Sequence, residues 1–190
     1  MEDCLEADFT PRKAEKRKEG RRLWGIELQE REKERGNRER KIFNLKEIIT
    51  EIKEKKKEIG TVFFFDIENT GPSIINYCYK NPEVIFEEVN IPVTSFVFLV
   101  FCPIGKDFDK GLLLKENIYL VETELHNKHN VCGAISLMAG NLSNILSCPF
   151  VFISNSSIFS GLSSLLQEHF SHPSYYVGQC FLSKYAIYNR

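Results

Sequence analysis

The chain has 190 residues, 43% of them hydrophobic, and a net charge of -1. That length supports one domain with a full core plus an extension, and the near-neutral charge argues against a uniformly basic nucleic-acid binder. The charge is unevenly placed: residues 1–60 hold 18 Lys and Arg against 15 Asp and Glu, and residues 61–190 hold 7 against 11, a net of -4.

The N-terminus, MEDCLEADFT, is acidic and polar, without the apolar segment of a secretory signal. Residues 11–41 alternate basic and acidic side chains and have almost no aromatic or β-branched residues. They bury too little apolar surface to order themselves, so an arm over residues 1–41 is expected to be disordered or a solvated helix. The basic run RKAEKRKEGRR also suits nuclear import or an electrostatic grip on RNA, although glutamates dilute it. Within the arm, RRLWGIEL is a small apolar island. Its Leu23 and Trp24 are candidate partner-docking residues, because Trp beside Arg is a favoured interface anchor.

Residues 42–60 read as an amphipathic helix leading into the domain. Ile42, Leu45, Ile48, Ile49 and Ile52 recur at helical spacing, and Gly60 supplies a stop. The domain proper is expected over residues 61–190. TVFFFD (61–66) is a continuous apolar run, as in a central strand buried on both faces. Pro72 then opens a helix to about residue 80. TSFVFLVFC (94–102) and IYLVETE (118–124) read as strands, and residues 129–145 as a helix. FVFIS (150–154) reads as a strand, and residues 156–170 as a helix with Ile158, Phe159, Leu162, Leu165 and Leu166 inside. YYVGQCF (175–181) reads as a fifth strand. Strands alternating with helices imply an α/β fold: a mostly parallel sheet of about five strands with helices on both faces. The eight phenylalanines on these strands are expected in the core.

The six cysteines are scattered, with no C-x-x-C pair. They read as small buried hydrophobes of an intracellular protein, in the nucleus or cytoplasm, with the basic arm tilting the choice toward the nucleus. The longest apolar run falls far short of the ~20 residues of a membrane helix. His126, His129 and Cys132 fall at a spacing of three, and His169 and His172 follow later. Without a companion C-x-x-C or H-x-x-H, solvated histidines and a packed cysteine are the plainer reading than zinc.

Chemistry in an open α/β sheet belongs beyond the carboxyl ends of its strands. There the sequence places Asp66, Glu68 and Asn69, then Glu122 and Glu124, then Ser154, Asn155, Ser156 and Ser157. Oxygen-rich groups suit Mg²⁺ or Mn²⁺, and two such ions activate water for phosphodiester cleavage. Asp66 also has a purely structural reading as a helix cap.

Three of these segments, in this order, resemble the motifs of a PIN-like nuclease domain of the NYN type. FFFDIEN is similar to the strand that ends in Asp and Asn, matching at Asp66, Glu68 and Asn69. VCGAISLMAGNL (131–142) resembles the later helix in its small and apolar positions, including Ala139, Gly140 and Leu142. FVFISNSSIF (150–159) resembles the strand running into S-x-D-x-x-F, with Ser154 and Phe159 retained. The resemblance implies a three-layer fold over about residues 61–180 and a Mg²⁺- or Mn²⁺-dependent ribonuclease site. It also implies aspartates where this chain has Cys132 and Ser156, so two of the three principal carboxylates are missing. The expectation is a pseudonuclease needing no cofactor, which binds a protein partner, with RNA contacts mainly through the arm. An active enzyme would need Asp66 assisted by Glu122 or Glu124, and a scaffold unrelated to nucleic acid is the third alternative.

Overall fold

In the computed structural model, residues 45–105, 115–123 and 130–186 are described, and all belong to one compact unit. The elements in chain order are α1 (Leu45–Glu54), β1 (Thr61–Asp66), α2 (Ile67–Thr70), α3 (Ser73–Lys80), α4 (Glu83–Glu88) and β2 (Phe96–Pro103). There follow β3 (Ile118–Thr123), α5 (Asn130–Ser143), β4 (Phe150–Ile153), α6 (Ile158–Phe170), β5 (Ser174–Val177) and α7 (Gln179–Ala186).

The five strands form one sheet in the order β3-β2-β1-β4-β5, and every pairing is parallel. β1 is central and buried along its whole length, as its unbroken apolar run requires. Successive side chains point to opposite faces, and two cores result. Val62 and Phe64 of β1 pack with Ile48 and Ile52 of α1, Met138 and Leu142 of α5, and Phe159 and Leu166 of α6. Phe63 and Phe65 pack on the other face with Ile75 and Cys78 of α3, Phe86 of α4 and Phe181 of α7. The fold is a three-layer α/β sandwich. Among the described residues no helix is long and apolar enough to cross a membrane.

Several local expectations are corrected. The first helix ends at Glu54, well before Gly60. Gly60 instead closes against the strand entering beside it: its N–H bonds Ser95 O at 3.0 Å, and a Cβ there would lie 2.6 Å from Thr94 Cβ. The last strand stops at Val177, and Cys180 and Phe181 lie on α7. At Gly178 a Cβ would meet the Tyr176 ring at 2.8 Å, so a glycine lets the chain fold tightly there and turn Phe181 under the sheet. The helix α4 carries no separate signal, because its six residues are too few to show a period. On α6, Phe159 and Leu166 are buried as expected, but Ile158 and Leu165 are exposed. The other cysteines follow expectation in part: Cys78, Cys102 and Cys132 are buried, Cys148 is half-buried and Cys180 is exposed.

The strand order also fixes where a site can form. From β1 the chain crosses to β2 by α2–α4 on one face; from β4 it crosses to β5 by α6 on the other face. The carboxyl ends of β1 and β4 are therefore neighbours whose following helices diverge, which opens the crevice where ligands bind in doubly wound sheets.

Candidate functional site

Asp66 ends β1 and is completely buried. Its backbone is extended, so the side chain can turn back and cap α2, and Oδ1 accepts the Asn69 N–H at 3.3 Å. Oδ2 accepts the Asn69 side-chain amide at 2.7 Å and the Ser154 hydroxyl, also at 2.7 Å. A carboxylate offers about four lone-pair positions, and three are filled from within the chain. Ser154 reaches Asp66 because Phe65 pairs with Ile153 in the register, so the next residues of β1 and β4 stand side by side.

The loop after β4 is tied to the same point. Ser154 Oγ accepts the Ser156 N–H at 2.9 Å, and Asn155 Nδ2 donates to the Asn69 carbonyl at 2.8 Å. Asn155 is a tie that the sequence motifs did not single out; its only signal was its place just past a strand end. Cys132, in the first turn of α5, completes the group. Burial pushes its thiol pKa up, the nearby charges of Asp66 and Glu68 push it further, and a hydrogen bond with the Ser156 side chain opposes them. A neutral thiol and a hydroxyl thus face Asp66 from α5 and from the β4 loop.

Asp66, Glu68, Asn69, Cys132, Ser154 and Ser156 are therefore brought together. Glu122 is not. It lies on β3, two strands from β1, and Val121 shares Asp66's face while the alternation turns Glu122 to the other. Glu124, His126, His129, Leu23 and Trp24 lie outside the described residues. His172 cannot join Cys132. It bonds Leu146 O and Ser174 Oγ and stacks on Phe150 at 4.0 Å, at the opposite end of the strands.

No protein-family model, curated protein or solved structure matches this chain. What the cluster can do must be read from its own donors. A thiol and two hydroxyls present no anionic oxygen, and the one central carboxylate is buried and already bonded three times, so the residues present do not fit a hard divalent cation. Among the described residues no three His, Cys, Asp or Glu side chains gather as metal ligands would. Every buried side-chain N and O described has a hydrogen-bond partner. The cluster is a self-satisfied polar knot that joins β1, β4 and α5.

Proposed function

We propose that this is a non-cleaving PIN-like domain that serves as a binding module in an RNA-related assembly. The observation that carries the reading is the internal use of Asp66. The carboxylate that the family resemblance would assign to a metal instead accepts Ser154 and Asn69, while Cys132 and Ser156 stand where further acids would be needed. Hydrolysis by a two-metal route needs several carboxylates to neutralise the cations. The domain's own net charge of -4 disfavours phosphate contacts, whereas residues 11–41 hold 13 Lys and Arg against 7 Asp and Glu, which supports RNA contact through the arm and a nuclear location.

The deciding experiment incubates the full chain and its Asp66→Asn variant with single-stranded RNA in Mn²⁺. No cleavage by either is expected. Mn²⁺-dependent cleavage lost in the variant would overturn the reading in favour of an active ribonuclease. A salt titration of RNA affinity, with and without residues 1–41, tests the arm. Its deletion is expected to flatten the salt dependence, and an unchanged slope would remove the arm from the account.

A further inference from the structure

Residues 130–167 contain no Asp, Glu, Lys or Arg, in a chain that is 27% charged. They include all of α5 and most of α6, two helices that pack beside each other on one face of the sheet and so supply a broad exposed surface. Ordinary solvated surface is roughly 25–35% charged. This surface instead displays Leu137, 59% exposed, on α5, and Ile158 and Leu165, 50% and 46% exposed, on α6.

The glycines supply a second, independent observation. Gly133 and Gly140 flank Leu137 at helical spacing, and Gly161 lies between Ile158 and Leu165. All three are exposed, and a Cβ at any of them would meet nothing within 4 Å. Glycine inside a helix costs stability relative to alanine, and nothing in the chain's own packing requires it here. Gaps beside protruding Leu and Ile side chains are what close helix-to-helix approach across an interface uses.

The charge pattern selects the occupant. With no cation on the face, it offers nothing to RNA phosphates or to an anionic membrane. With no charge of either sign, it offers no pairing to a charged peptide. Its counterpart must be uncharged and apolar where they meet, and this face is itself such a surface. An isologous contact sets a patch against its own image, so a charged patch opposes like with like, whereas a neutral one with protrusions and gaps is self-compatible. Lys46 and Lys53 of α1 on one side and Glu168 on the other would form the polar rim.

We infer that the α5–α6 face binds a second copy of this chain, through Leu137, Ile158 and Leu165 seated against Gly133, Gly140 and Gly161 of the partner copy. The inference stands apart from the site at Asp66 and does not depend on whether the domain cleaves RNA. Light scattering coupled to gel filtration of the full chain at micromolar concentration should give twice the 22.0 kDa chain mass. Leu137→Arg, whose side chain is exposed in the single chain, should keep the native circular dichroism and lower dimer affinity by about a hundredfold or more, because it buries an unpaired charge. Val93→Arg, at a position 62% exposed away from this face, should leave the dimer intact. Gly140→Ala should raise the melting temperature of the monomeric Leu137→Arg chain yet weaken the dimer of the otherwise unaltered one. A wild-type mass of 22.0 kDa throughout, or a dimer indifferent to Leu137→Arg, would overturn the proposal.

Discussion

Asp66 and His172 are the two buried polar side chains whose bonding most constrains the chain, and they act at opposite ends of the strands. Asp66→Ala removes the acceptor for Ser154 Oγ, Asn69 Nδ2 and Asn69 N–H at once, and leaves the Ser154 hydroxyl without it in a buried pocket. A loss of about 3 kcal/mol is expected in urea unfolding, and about 1 kcal/mol for Ser154→Ala, which leaves the Asn69 bonds in place. Equal losses would contradict the assignment of Asp66 as the hub. His172 titrates in the opposite sense to a surface histidine. Burial depresses its pKa from the ordinary 6.5, against the pull of hydrogen bonds at Leu146 and Pro173. Above 6.5 it is neutral in both folded and unfolded chains and adds no pH dependence. Below that value the unfolded imidazole takes up a proton that the buried one resists, so the unfolded state binds more protons and stability falls with falling pH. From about pH 7 to about pH 5 the wild type should lose more of its urea midpoint than His172→Gln, which cannot titrate. Parallel pH profiles would show that His172 does not contribute.

At the scale of elements, two contacts hold the first helix and its exit to the sheet. Tyr119 of β3 donates its hydroxyl to Glu51 Oε1 at 2.7 Å, and Lys55 Nζ meets the same oxygen at 2.6 Å, so α1 is pinned to the edge strand. Burial raises the Tyr119 pKa to about 12, and the Glu51 carboxylate adds to it. Tyr119→Phe keeps the ring and removes the donor, and is expected to cost about 1 kcal/mol with the packing unchanged. Gly60→Ala drives a Cβ into Thr94 and toward Ser95 O, at 2.6 and 2.9 Å, where part of the obstacle is backbone. A loss of about 2 kcal/mol is expected, measured as a lower melting temperature. These contacts mark the boundary of what periodicity reveals. The unbroken apolar runs made β1, β2 and β4 legible as buried parallel strands, and the 3.6-residue period gave α5 and α6. Gly60 was read as a helix stop because a glycine that makes room looks, in sequence, the same as one that ends a helix. Tyr175 to Phe181 read as one strand because the turn at Gly178 is set by a contact with Tyr176, not by any punctuating Pro or Asn. Ile158 and Leu165 read as interior because an apolar residue at helical spacing does not declare which side of the helix it serves.

At the scale of the whole molecule, the candidate site exists only through topology. Asp66, Cys132 and Ser156 are far apart in sequence, and their meeting follows from the reversal of strand direction between β1 and β4, with α5 laid over the junction. The strand-end rule made the neighbourhood legible, and the motif resemblance placed Cys132 and Ser156 in it. What no single sequence displays is that Ser154 and Asn69 occupy Asp66 from within, or that β3's alternation turns Glu122 away. This arrangement predicts what restoring acids would do. In Cys132→Asp/Ser156→Asp, two carboxylates replace the thiol and hydroxyl that now share a hydrogen bond beside Asp66 and Glu68. Without metal, the added like charges repel in a part-buried crevice, and the variant should melt lower than wild type. With Mn²⁺, the same carboxylates become hard oxygen ligands, and metal binding to the folded state alone should recover the loss by linkage. The expected pattern is a Mn²⁺-dependent rise in melting temperature in the double variant, a smaller one in either single variant and none in wild type, with calorimetry giving at least about a tenfold gain in Mn²⁺ affinity, roughly 1.4 kcal/mol. A double variant that is destabilised but indifferent to Mn²⁺ would mean that the three positions meet without sharing a ligand geometry, and that the crevice resembles a metal site in the order of its residues but not in its shape.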